Sequence, residues 1–223
     1  MSEIGKGKCS YCKGVFSRTN MEKHLDACES RIEKHRPGSA SSDDEIYFGI
    51  LVEGFELPQY WMYVDIPVSA SLKVLDGFLR DTWLECCGHL SSFEIAGEIY
   101  ASNPVKSEGD KSMGIKLGDV LEKGMQFLHE YDFGSTTTLK LTVASSRTGK
   151  KRRQKAEIMA RNLPPEIRCT ECGAIATHVC CECIYEDEGW LCDKCSEAHE
   201  CGEEMLLPVV NSPRVGVCGY CGQ

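Results

Sequence analysis

The chain has 223 residues, 15 cysteines and a formal net charge of -9. That length accommodates one ordinary core of about 100–150 residues with small appendages, and its acidity excludes a uniformly basic nucleic-acid-binding surface. No run approaches the ~18 apolar residues of a membrane span and no signal-peptide pattern opens the sequence, so we expect a soluble, cytoplasmic protein whose clustered thiols hold metal rather than form disulfides.

Residues 1–35 carry the first motif. Cys9-x2-Cys12-x11-His24-x3-Cys28 sets two thiols on a tight turn and a His and a Cys on one helix face, the spacing that closes a tetrahedral Zn²⁺ site. Phe16 and Met21 fall between the ligand pairs and supply apolar packing. So short a segment folds on metal, since structural zinc contributes roughly 10–16 kcal/mol at neutral pH. Residues 36–44, with Pro37-Gly38-Ser39-Ala40-Ser41-Ser42, read as a flexible linker.

Residues 45–144 have the pattern of an α+β domain. Segments 46–52 and 60–66 are rich in aromatic and β-branched residues and flank Pro58, as paired strands do. Over 71–84, Leu72, Leu75, Phe78, Leu79 and Leu84 recur at helical spacing behind Ser71 as N-cap. Strands are expected over 90–96 and 97–101, and a short helix over 117–122 with Gly124 as its C-cap. Segments 125–131 and 136–143 flank Asp132-Phe133-Gly134 and predict a hairpin. The fold expected is a central mixed sheet with one or two covering helices, flanked by small zinc-binding modules. Cys86 and Cys87 have no basic neighbour or second pair to depress a thiol pKa and read as packing residues, and His89 as a structural histidine.

Charge is segregated along the chain. Lys plus Arg against Asp plus Glu count 7 to 17 over 43–144 and 2 to 10 over 169–223, but 8 to 2 over 145–168, which leaves Lys150 to Lys155 as the dense basic run. Residues 145–168 read as a basic linker, with 145–163 of helix-compatible composition ended by Pro164-Pro165. Residues 169–223 then bring Cys169-x2-Cys172, Cys180-x2-Cys183, Cys192-x2-Cys195, His199, Cys201, Cys218 and Cys221. Each Cys-x-x-Cys turn presents two thiolates to one ion, so this segment reads as a metal-binding module, with zinc favoured over an iron–sulfur cluster by the histidine and the regular double pairs.

Three resemblances accompany these residues. Lys23-His24-Leu25-Asp26-Ala27-Cys28 is similar to the ubiquitin-binding zinc fingers of DNA-repair proteins as well as to general Cys-Cys-His-Cys fingers, and the former implies a ubiquitin contact through Asp26. Leu72-x2-Leu75-x2-Phe78, Trp83, His89-Leu90-x2-Phe93-x-Ile95, Tyr100, Leu117-x2-Val120-Leu121 and Phe127-x3-Tyr131-Asp132-Phe133-Gly134 resemble the plasmid Ri open-reading-frame-three-like domain. That family occurs in mobile-element proteins, and many members follow the last motif with an acid, a Trp and a His where this chain has Ser135, Thr137 and Leu139. The tail resembles the interleaved two-zinc modules of the B-box and HIT-finger type. By that resemblance Cys169, Cys172, Cys192 and Cys195 share one ion, while Cys180, Cys183 and His199 hold the second with Cys201 or Cys218.

Three ions in all are expected. Closed ligand sets, with no assembled catalytic group, lead us to expect a non-enzymatic adaptor or regulator that binds a protein and no membrane. The competing expectation is nucleic-acid binding through the finger and residues 147–155.

Overall fold

A computed structural model describes residues 5–35, 44–153, 155–186 and 188–222. The chain divides into two compact units, Met1–Leu79 with Leu90–Leu163, and Arg80–His89 with Pro164–Gln223. The fold is α+β, with a large mixed sheet and few helices in the first unit and a small sheet in the second.

The first unit begins with β1 (Lys6–Cys9), β2 (Val15–Ser17), α1 (Arg18–Ala27) and α2 (Glu29–Lys34). It continues with β3 (Asp44–Gly54), β4 (Trp61–Pro67), α3 (Leu72–Leu79), β5 (Ser91–Ile95), β6 (Glu98–Ala101), β7 (Lys111–Ser112), α4 (Leu117–Val120), β8 (Gln126–Tyr131), β9 (Thr137–Lys150) and β10 (Glu157–Asn162). Its sheet runs β2-β1-β10-β4-β3-β9-β8-β5-β6-β7. All seven residues of β4 are buried, as befits a central strand covered on both faces, while Thr137 to Val143 alternate buried and half-buried positions.

Residues 1–35, expected as a module of their own, share this sheet. β1 pairs antiparallel with β10 over Gly7↔Asn162 to Cys9↔Ala160. Gly7 permits the approach, because a Cβ there would fall 2.5 Å from Trp61 Cζ2 and 2.6 Å from the Arg161 carbonyl. Of the expected linker at 36–44, residues 36–43 lie outside the described residues, and Asp44 opens β3.

The helix compatible with the composition of 145–163 is not formed. β9 continues to Lys150 and β10 begins at Glu157. β9 is held extended by its ladder to β3, and the extended form also serves Asp65, fully buried on β4, whose charge draws partners from β9, one strand beyond β3, and from the segment after it. Arg147 Nε donates to Asp65 Oδ1 at 3.1 Å, and Arg152 Nη2 donates to Oδ2 at 2.6 Å. Both guanidiniums lie over the Tyr47 ring, 4.6 and 4.5 Å from its centroid, and Arg152 also binds Glu157 at 2.5 Å.

The helix expected over 71–84 changes character part-way. α3 ends at Leu79 and Arg80–Leu84 forms a π-helical turn, in which the Glu85 amide donates to the Arg80 carbonyl. Asp76 on α3 meets His129 on β8 at 2.8 Å in a buried pair that ties helix to sheet. The hairpin at Asp132-Phe133-Gly134 is present: β8 and β9 pair up to Tyr131↔Thr137, Asp132 takes φ 66°, and its Oδ1 accepts the Gly134 amide at 3.1 Å.

The second unit contains β11 (His178–Cys180), β12 (Trp190–Leu191), α5 (Asp193–Ser196) and β13 (Leu206–Pro208), with sheet order β12-β11-β13. No helix among the described residues is long and apolar enough to cross a membrane.

The Asp65 network yields a stability prediction. Arg152→Ala leaves the buried carboxylate with Arg147 alone and is expected to lower unfolding free energy by about 1–3 kcal/mol, the value of hydrogen bonds to a charged group. Urea denaturation followed by far-ultraviolet circular dichroism checks it, and an unchanged midpoint counts against the network.

Candidate metal centres

Among the described residues, four groups of Cys and His side chains bring their ligand atoms within 4.8 Å of one another. A zinc ion with Zn–S of about 2.3 Å and Zn–N of about 2.0–2.1 Å sets tetrahedral edges of about 3.8 Å between sulfurs and about 3.5 Å between sulfur and nitrogen. Those lengths are the test of each group.

The first group is Cys9, Cys12, His24 and Cys28. Its turn follows from local hydrogen bonding: the Cys9 amide donates to the Gly14 carbonyl at 2.9 Å, the Lys13 amide to the Cys9 carbonyl at 3.1 Å, and Lys13 takes φ 64°. α1 delivers His24, whose Nε2 lies 3.3 Å from Cys12 Sγ, and the ring stacks on Phe16 with centroids 3.9 Å apart. Cys9 and Cys28, sulfurs 4.0 Å apart, are buried with Met21, Leu25, Trp61, Tyr63 and Met159. Burial raises the Cys9 thiol, while the Gly14 amide lowers that of Cys12. Asp26, the residue that the ubiquitin-finger resemblance singles out, is exposed on α1.

The second group, Cys169, Cys172, Cys192 and Cys195, repeats that turn. The Cys169 amide donates to the Ala174 carbonyl at 2.7 Å, the Gly173 amide to the Cys169 carbonyl at 2.9 Å, and Gly173 takes φ 74°. α5 carries Cys195, and Cys172 Sγ lies 3.6 Å from Cys192 Sγ. The third group is Cys180, Cys183, His199 and Cys201, with Cys183 Sγ 3.6 Å from both His199 Nε2 and Cys201 Sγ.

The thiols of these two groups are polarised against one another. At Cys169 burial works upward, but the amides of Cys192, Cys172 and Glu171 overcome it and bring the thiol down to about 6. At Cys180 burial is likewise outweighed, by the amides of Cys183 and Glu182 and by His199, which bring it down to about 7. Cys183, facing Cys201 and Cys180, is pushed up to about 12, and Cys195, facing Cys172 and Cys192, also up to about 12. Backbone amides also lower the Cys192 thiol, so the backbone stabilises thiolates at Cys169 and Cys192 in the second group and at Cys180 in the third, and the remaining thiols need a cation.

Cys201 therefore sits in the third group, whereas Cys218, the other expected fourth ligand, lies elsewhere. It meets Cys86, Cys87 and His89 in a fourth group. Cys86 is half-buried and Cys87 exposed, so the packing role expected of them is not what the structure gives. Residues 80–89 belong to the C-terminal unit, where Ser212 Oγ donates to the Trp83 carbonyl at 2.7 Å, and sequence distance hid that association. The local signal was the density of ligand types in Cys86-Cys87-Gly88-His89. Cys181 and Cys221 belong to no group: Cys181 Sγ faces Met205 Sδ at 3.8 Å, and Cys221 Sγ the Gly219 carbonyl at 3.5 Å.

Fold and site together define an α+β protein with Cys/His groups that could hold metal ions. No family model matches the chain, and no curated protein is similar to it. Among solved structures it is similar to that of a protein of unknown function from Methanosarcina mazei Go1, at 17% identity and a TM-score of 0.46 over 58% of this chain and 76% of that one.

The second unit has three short strands and buries Trp83, Leu84, Val179, Leu191, Val215 and Tyr220 together with the ligand cysteines Cys169 and Cys180, so its order should depend on metal. Treatment with an organomercurial that captures thiolates is expected to abolish the near-ultraviolet dichroism of Trp190 while the β-sheet signal persists. An unchanged near-ultraviolet spectrum would contradict metal support of this unit.

Proposed function

We propose that the chain is a non-enzymatic, zinc-binding adaptor or regulatory protein of the cytoplasm, and that its partner is a protein. The observation that carries this reading is the completeness of the ligand sets. The finger and the two tail groups each supply four ligand atoms from within the chain, at separations that suit tetrahedral zinc. A four-ligand set leaves no position for a metal-bound water, so such ions organise recognition surfaces and do not activate a nucleophile. Histidine in the finger and the third group favours zinc over a cluster held by thiolates alone.

The acidic balance of residues 169–223 supports a protein partner over a phosphate backbone, and Tyr185 and Ile175 expose apolar surface in that unit. Metal analysis of the protein purified without added metal tests the reading. About one zinc each is expected in the finger and the two tail groups, and reproducible capture of a protein partner should be lost on Cys192→Ser. An iron-containing, coloured preparation, or one without zinc, overturns it.

A second reading, nucleic-acid binding, is supported by Lys150, Lys151, Arg153 and Lys155, all exposed. Arg147 and Arg152 are already engaged with Asp65 and weigh against it. If the four exposed cations contact duplex phosphates, the logarithm of affinity should fall with the logarithm of salt at a slope of about −3 to −4. Fluorescence anisotropy at several salt concentrations measures this, and absence of low-salt binding removes the reading.

A further inference from the structure

The fourth group has a geometry of its own. Cys87 Sγ lies 3.6 Å from Cys86 Sγ and 3.6 Å from Cys218 Sγ, and His89 Nε2 lies 3.6 Å from Cys218 Sγ and 2.9 Å from Cys87 Sγ. All four ligand atoms fall within the 4.8 Å that encloses each of the other groups. Three of these four separations match the tetrahedral edges of about 3.5–3.8 Å that zinc sets, and the Cys87–His89 edge, at 2.9 Å, is the shorter one.

The backbone around these side chains is shaped for convergence. Gly88 takes φ +80° between Cys87 and His89, so the chain reverses and both side chains face one point. Its amide donates to Glu85 Oε1 at 2.7 Å, and Glu85 is held in turn by Arg80 Nε at 2.6 Å. On the other strand Cys218, a non-glycine residue, adopts φ 55°. Left-handed backbone of that kind in a residue with a Cβ persists where the surroundings fix it. Arg214, fully buried, directs Nη2 at Cys86 Sγ from 3.5 Å. Ser212 Oγ accepts the Arg214 amide at 2.9 Å while donating to the Trp83 carbonyl, which holds the two segments in register.

We propose that Cys86, Cys87, His89 and Cys218 bind a fourth zinc ion that clips residues 80–89 to the C-terminal segment of the same unit. The inference builds on zinc occupancy of the other three groups but goes beyond it. This is the one group with no buried ligand, so its ion is also the first to exchange with a competing chelator.

The test is the metal content of the full chain and of four variants. The wild type is expected to hold about four zinc ions, His89→Ala and Cys218→Ser about three, and Cys221→Ser about four. His89→Cys, which restores a fourth ligand, should recover the lost ion, an outcome that a purely structural role for His89 does not give. Cobalt substitution gives an independent readout in the intact wild type: sub-stoichiometric chelator should bleach about one quarter of the thiolate-to-cobalt absorbance first, and Cys218→Ser should lack that fraction. Three zinc ions in the wild type, unchanged in the variants, overturn the fourth site alone, and a Cys87–Cys218 disulfide found by intact mass in the freshly purified protein does so too. No zinc at any group defeats the wider reading instead.

Discussion

Crowded sulfur is the constraint on which the C-terminal unit depends. Thiols are held about 3.6 Å apart in its three groups, and two thiolates at that distance repel one another. The chain places backbone amides so that some sulfurs of the tail groups carry charge easily, as at Cys169, Cys192 and Cys180. The cost of charging the rest appears at Cys183, Cys195 and Cys87, each pushed up to about 12 by facing thiols. A divalent cation would turn that repulsion into attraction.

The same turn serves both units. Cys9 to Gly14 and Cys169 to Ala174 share their hydrogen bonds and the left-handed residue after the second cysteine, Lys13 in one and Gly173 in the other. What surrounds the turn differs. In the first unit it ends a strand that pairs with β10, and its sulfurs pack among Met21, Trp61 and Met159. In the second the turn opens one of two groups whose ligands interleave along the chain.

Much of this was legible in the sequence because the signals were local. The alternation of Thr137 to Val143, the turn residues Asp132 and Gly134, and the Cys-x-x-Cys spacings each act over a few residues. The strand continuing through Ser145 to Lys150 was not legible, because basic residues suit a solvated helix equally well and the extended form is selected by the ladder to β3 and by the buried Asp65, 82 residues from Arg147. The fourth group was hidden for the same reason. Its ligands lie 129 residues apart in sequence, and the paired cysteines with His89 fall inside a segment whose flanks belong to the other unit. His129 likewise looked unremarkable until Asp76 was placed opposite it.

These differences set an order of metal dependence. Stripped of an ion, the finger would leave Cys9 and Cys28 as neutral, buried thiols, a state that small apolar-like side chains tolerate within a packed cluster. β1 would keep its ladder to β10, and Gly7 its seat against Trp61. The C-terminal unit has no such reserve. Its three short strands are spanned by the second and third groups, and without an ion their sulfurs, buried at Cys169 and Cys180 and exposed at Cys172, would lose the attraction that draws them together. The sheet of the first unit would thus stand without its metal, whereas the order of the second unit would rest on it.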